Sequence, residues 1–182
     1  SSGGGAYRGT FDNCIFVNNS SWSGGGAYSA VLRSCIFSNN SRFYGGGAYG
    51  STLTNCILLR NYTVHDSDYT ENGGGANTCT LANCLLKDNQ SLRGGGASSS
   101  SLVNCTVIYN STKDGYGSAT GGVLSCGLTN CIVYFNNALT PNGSNYSADS
   151  TFYYCDTSPL PTNGANNISS DPLFADSFHI SA

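Results

Sequence analysis

Charge is what this sequence has least of. Seven Lys and Arg and ten Asp and Glu make up only 9% of its 182 residues, and the formal net charge is -3. The basic residues stand singly between Arg8 and Lys113, so no patch exists that would hold nucleic acid. After Lys113 the only charged residues are Asp114, Asp149, Asp156, Asp171 and Asp176, too scattered for an acidic tail. Long hydrophobic runs are missing too. None approaches the roughly 18 residues of a membrane span, and none shows the sustained 3.6-residue apolar spacing of a helix. No C-x-x-C pair and no His beside a Cys supports a metal site, and no cofactor is expected. There is no signal peptide, and the chain opens inside a repeat at Ser1-Ser2-Gly3, so removed or missing upstream sequence is expected.

What the chain has is self-similarity. Cys14, Cys35, Cys56, Cys84, Cys105, Cys131 and Cys155 recur at spacings of 21, 21, 28, 21, 26 and 24 residues. Three positions earlier stand Phe11, Leu32, Leu53, Leu81, Leu102, Leu128 and Phe152, and two positions later Phe16, Phe37, Leu58, Leu86, Val107 and Val133. Five positions later comes an unbroken row, Asn19, Asn40, Asn61, Asn89, Asn110 and Asn136. A Gly triplet and an Ala precede most of these units.

Apolar segments this short, punctuated by Gly and Asn, read as strands, and a period near 21 residues fits one coil of a solenoid. The fold expected is all-β: a right-handed parallel β-helix of about seven coils, roughly 21 residues per coil. Rungs about 4.8 Å apart would make a rod on the order of 35 Å long. Residues 1–158 form the coils in this reading, with inserted loops at 62–72, 111–120 and 137–150. Residues 159–182 form an irregular covering segment, in which Leu173, Phe174, Phe178 and Ile180 are expected to close the core.

The Asn row is expected at a coil corner, each Asn left-handed and bonded to the next. Asn19, Asn61, Asn89 and Asn110 also open N-x-S/T triplets, so glycan attachment is the alternative. A buried ladder accounts for the whole row, and the triplets do not. The Gly triplet marks a second corner of positive φ or close backbone approach. The Cys row is expected to be buried and reduced, because stacked Cβ vectors fit disulfide torsion poorly. Bonds from Cys79 to Cys84 and from Cys126 to Cys131 stay open.

The repeats GGGAYSAVLRSCIFSNN and GGGANTCTLANCLLKDN resemble those of secreted bacterial β-helix proteins. These include the polymorphic outer-membrane repeats with GGA and F-x-x-N signatures, and surface proteins whose coils end in DPLF, as at Asp171–Phe174. The resemblance implies a right-handed parallel β-helix at the cell surface, often adhesive; pectate-lyase-like enzymes share only that fold. Relatives continue past the DPLF segment, so this chain is expected to be a fragment or one segment of a longer solenoid.

Two functions follow as expectations. The first is a non-enzymatic extracellular structural or adhesive rod. It would associate with itself end to end, or through a stripe of Ile15, Ile36, Ile57, Leu85 and Ile132, one residue after each Cys. Copies of itself are the first partner expected, and a glycan or another cell-surface ligand the second. Tyr7, Tyr28 and Tyr49 form a further row whose direction the sequence leaves open. The second is a carbohydrate-active enzyme or glycan-binding module. Its candidate carboxylates and base are Asp66, Asp68, Glu71 and His65, with Lys113 and Asp114 from the next long insertion on the same side. On the coil strands only Asp12 is expected to carry a carboxylate.

Overall fold

In the computed structural model, the described residues are 3–64, 72–113, 119–139 and 144–174. They contain no helix, and so none long and apolar enough to cross a membrane. Short strands pair in parallel with their counterparts one repeat away and stack into three long sheets. The first holds six strands from Ala6–Tyr7 to Val123–Leu124; the second holds eight from Thr10–Asp12 to Gly164–Ala165; the third holds seven from Ile15–Val17 to Asp156–Thr157. The register pairs like with like: Leu32 with Leu53, Phe16 with Phe37, Ala27 with Ala48. This is a parallel β-helix. Crossovers between parallel strands of one sheet are right-handed in nearly all proteins.

Apart from the two-residue strands Asp156–Thr157 and Gly164–Ala165, the strands of the second and third sheets are three residues long, with the middle side chain turned inward. Those middle residues, with Ala from the first sheet, form one continuous apolar column in which Leu32, Phe37, Leu53, Leu58, Leu81, Leu86 and Leu102 are fully buried.

Three corners join the sheets on one plan. A residue in the left-handed region turns the chain, and the residue after it points inward. The turning residues at successive corners of one coil are Ser29, Ser34 and Asn39, at φ 52°, 51° and 54°. Turning removes one N–H per corner from the strand ladder, and a side chain of the next coil accepts it. Ala30 N–H donates to Ser51 Oγ (3.1 Å), Cys35 N–H to Cys56 Sγ (3.4 Å) and Asn40 N–H to Asn61 Oδ1 (3.0 Å). The cysteines are therefore polar partners as well as small apolar ones. Ser and Cys alternate in the first corner row because both hydroxyl and thiol also donate to the carbonyl two residues back.

The left-handed residue at the third corner is the one before each ladder Asn, not the ladder Asn expected from sequence. It is Asn39, Arg60, Asp88, Tyr109 and Phe135 in turn. The ladder Asn must keep an inward-pointing Cβ to reach its neighbour.

The fourth side carries the Gly triplets. The first Gly has positive φ, as at Gly24 (62°) and Gly73 (67°), whereas the second and third lie against backbone of the next coil. Several boundaries differ from the sequence expectation. The loops expected at 62–72 and 111–120 start inside the coils, since Tyr62 bridges Gln90 and Ser111–Thr112 pairs with Gln90–Ser91. Residues 144–150 belong to the coil system: Val123 pairs with Tyr146, and Cys126 N–H donates to Ser150 Oγ. The segment after 158 begins with another rung rather than an irregular cover, since Gly164–Ala165 pairs with Phe152 and Tyr153. Leu173 is 64% exposed, and Phe174 packs edge-on against Phe135 at the outer wall, 6.2 Å between centroids. Neither lies over the core. Phe178 and Ile180 lie outside the described residues.

Candidate functional site

The inward rows are structural. Asn40, Asn61, Asn89 and Asn110 are fully buried, Asn136 is buried and Asn19 half-buried. Each Asn amide donates to the Oδ1 one coil on, at 2.9–3.0 Å from Asn19 to Asn136. From Asn40 onward it also donates to a carbonyl one coil back, as Asn89 Nδ2 does to Leu58 O at 2.9 Å. Burial at 0% excludes Asn61, Asn89 and Asn110 as glycan acceptors in the folded chain. The row does not end at Asn136. Asn145 accepts from Asn136 through Oδ1 at 3.0 Å and donates to Ser158 O. It reaches in from the glycine wall, which faces the ladder.

All nine cysteines are free; Cys35, Cys56, Cys79, Cys84, Cys105, Cys126, Cys131 and Cys155 are buried and Cys14 is half-buried. Ser100 lies between Cys79 and Cys126 in their row, as the spacing implies. Burial pushes the Cys79 and Cys126 thiols up to about 12, so neither is a nucleophile near neutral pH. Asn167 Oδ1 ends the main Cys row by accepting from Cys155 N–H at 2.9 Å. Among the described residues no three His, Cys, Asp or Glu side chains are placed to hold a metal ion.

His65, Asp66, Asp68 and Glu71 lie outside the described residues, as does Asp114. Lys113 is exposed, and its N–H donates to Ser91 O. Asp12 pairs with Arg33 at 3.4 Å, both side chains 55% exposed, a contact of little energetic weight. It is not the only strand carboxylate: Asp156 lies in the third sheet, opposite Ile132.

The outer wall carries the remaining chemistry. The stripe after the Cys row points outward and changes along the rod. Ile15, Ile36 and Ile57 are exposed at 68%, 36% and 37%, whereas Leu85, Thr106 and Ile132 are half-buried. Two residues further on, Val17 is exposed while Ile108 and Tyr134 are buried. The third sheet thus presents an open apolar face in its first three coils only. Tyr7, Tyr28 and Tyr49 also point outward and stack ring on ring, 5.6 and 5.4 Å between centroids.

A second Asn row runs outside, one residue before Cys56, Cys84, Cys105 and Cys131. Asn83 donates to Asn55 (3.2 Å), Asn104 to Asn83 (3.1 Å) and Asn130 to Asn104 (2.8 Å). These asparagines are exposed, and they are the ones in the left-handed region, φ 52–55°. The row ends on Tyr154, where a groove of about 680 Å³ opens between this corner and residues 166–173. Burial first, and nearby Asp171 as well, raise the Asp156 carboxyl above its ordinary range, against a stabilising bond from Ser170 N–H.

No family model matches this chain, and no curated protein matches it. Among solved structures it is similar to a trypsin-treated form of QnrB1, a plasmid-mediated fluoroquinolone resistance protein. The identity is 13% over 86% of this chain and 72% of that one, with a TM-score of 0.31. It is also similar to HetL, a pentapeptide repeat protein involved in heterocyst differentiation regulation from the cyanobacterium Nostoc sp., at 13% identity over 90% and 85% of the two chains and a TM-score of 0.24. At these scores the comparisons carry no argument, and the architecture rests on the strand pairing.

Proposed function

We propose that this chain is a non-enzymatic extracellular β-helical rod whose working part is its outer wall, and that it associates with further copies of itself. The observation that carries this reading is the graded face of the third sheet. Ile15, Val17, Ile36 and Ile57 form one exposed apolar strip on the first three coils, and the corresponding positions further along are half-buried or buried. A contiguous strip of this kind favours association. The extracellular placement rests on the resemblance of the repeats, and end-to-end stacking into a fibre is the form that the coil architecture suggests.

Negative-stain electron microscopy tests this. The expected result is filaments or laterally joined rods; Ile36→Asp with Ile57→Asp is expected to separate the lateral contacts and to leave end-to-end filaments intact. Discrete rods of the unsubstituted chain at every concentration would overturn the reading. So would turnover of a polysaccharide that is lost in an Asp66→Ala, Asp68→Ala variant.

A further inference from the structure

The groove at the C-terminal end of the outer Asn row has a chemistry of its own. Its floor is the corner between the second and third sheets, where Asn104, Asn130 and Tyr154 stand on successive rungs. One wall carries Ile132 and Asp156; the facing wall is residues 166–173, with Asp171 and Leu173. At about 680 Å³ it is within the usual range of ligand sites and large enough for a short oligomer.

The backbone here offers a ligand little. Corner and strand N–H groups are taken by neighbouring coils, as Asn130 N–H is by Tyr153 O, Ile132 N–H by Cys105 O and Asp156 N–H by Cys131 O. An added peptide strand would therefore find no free ladder, and recognition falls to side chains. Along the floor the first two of those side chains, Asn104 and Asn130, are primary amides. A primary amide has two donor hydrogens and two acceptor lone pairs, and the Asn104–Asn130 bond uses only one donor and one acceptor. Each amide keeps capacity to give and to receive, which suits a hydroxyl, itself both donor and acceptor.

Tyr154 adds an exposed ring, 62% accessible, at the end of the row. Asp156 and Asp171 add acceptors, each with one oxygen engaged by a backbone N–H, from Ser170 and Leu173. Among the described residues no Lys or Arg lines the groove, so the Asp156 and Asp171 carboxylates disfavour a carboxylated or phosphorylated ligand.

We propose that this groove binds a linear, uncharged or amine-bearing glycan lying along the rod axis. One sugar sits over the Tyr154 ring, and the following sugars give and receive hydrogen bonds at Asn130 and Asn104. Rungs repeat about every 4.8 Å, close to the length of one pyranose in an extended chain, so successive sugars meet successive amides. This deepens the adhesive reading by naming a partner class. Its failure would leave self-association untouched, since that is read by microscopy and this by binding.

The test is calorimetric titration of the whole chain with β-1,4-linked tetramers of glucose, N-acetylglucosamine and glucosamine, and with the α-1,4-linked tetramer of galacturonate. At least one of the first three is expected to bind and galacturonate is not. Tyr154→Asn keeps a residue type suited to the left-handed position while removing the ring, and is expected to weaken binding tenfold or more. Asn130→Ala should weaken it several-fold. A preference for glucosamine that Asp171→Asn abolishes would identify the amine-bearing class; equal binding of glucose would identify the uncharged one. No binding of the three at millimolar concentration, preferred binding of galacturonate, or binding unchanged by Tyr154→Asn would overturn the proposal.

Discussion

Asn89→Ala is expected to destabilise the folded chain by about 4 kcal/mol, because it strands several buried polar groups at once. Asn89 Oδ1 accepts from the backbone N–H and the side-chain amide of Asn61, at 2.9 and 3.0 Å. Its Nδ2 donates to Asn110 Oδ1 and to Leu58 O, both at 2.9 Å. Alanine leaves the Asn61 N–H and the Leu58 carbonyl without these partners in a site of 0% exposure. Each orphan costs about 1–3 kcal/mol, and little water can enter to compensate. The control is Asn83, one rung member of the outer row, whose neighbours are open to solvent. Asn83→Ala gives up two exposed bonds, to Asn55 and from Asn104, whose partners turn to water, and places Ala in the left-handed region, a loss of about 1 kcal/mol. Urea unfolding of the two variants measures the difference. Equal losses would mean that the inner row is not the polar spine described above.

Gly75→Ala is the second large effect, at about 3 kcal/mol, and it arises from space rather than backbone strain. A Cβ at Gly75 would stand 2.6 Å from Gly96 O and 3.1 Å from Asn89 Cγ. The glycine wall is thin because the Asn ladder fills the corner beside it. A methyl group there must push one coil from the next or displace the ladder. Gly127→Ala is the contrast. That residue sits in a strand with its absent side chain outward, where a Cβ would meet only Thr151 Oγ1 at 3.7 Å. It should stabilise the chain by about 0.5 kcal/mol through the unfolded state. Thermal melting of both variants reads the sign directly.

The architecture was legible because the same residue returns at the same position in coil after coil. A Leu at Leu32, Leu53, Leu81 and Leu102 has one consistent environment, and only stacked coils provide it. What the repeat concealed was the division of labour at the corners. Composition points to the ladder Asn for the left-handed position, yet that position belongs to the residue before, where Arg60, Tyr109 and Phe135 give no compositional signal. A signal did exist for the polar role of cysteine: Ser51, Cys79, Ser100, Cys126 and Ser150 occupy one row, and only a shared donor and acceptor duty makes Ser and Cys exchangeable there.

Asn145 was not legible at all, since it enters the ladder from a different phase of the coil. The groove shares that difficulty. Tyr154 and Asp156 replace the Asn and the Ile or Thr of earlier coils, and the facing wall comes from 166–173, beyond the last clear repeat. Repetition reveals a scaffold, and a site made where repetition stops has to be seen in three dimensions.

The claim on which everything else depends is that one repeat in sequence is one rung in space, whatever the length of the insertion between. Thr10, Thr52, Thr80 and Thr151 lie in one outward row of the second sheet. Spin labels attached to cysteines at pairs of these positions, in a Cys14→Ser background, measure their separations, by continuous-wave line broadening for adjacent rungs and by pulsed electron resonance for distant ones. Thr52 and Thr80 should be one rung apart although 28 residues separate them. Thr10 and Thr151 should be six rungs apart, about 29 Å at the usual strand spacing. Separations that rise linearly with rung number are the predicted result. A Thr10 to Thr151 distance far from that value, or one that follows residue count instead, would contradict the account.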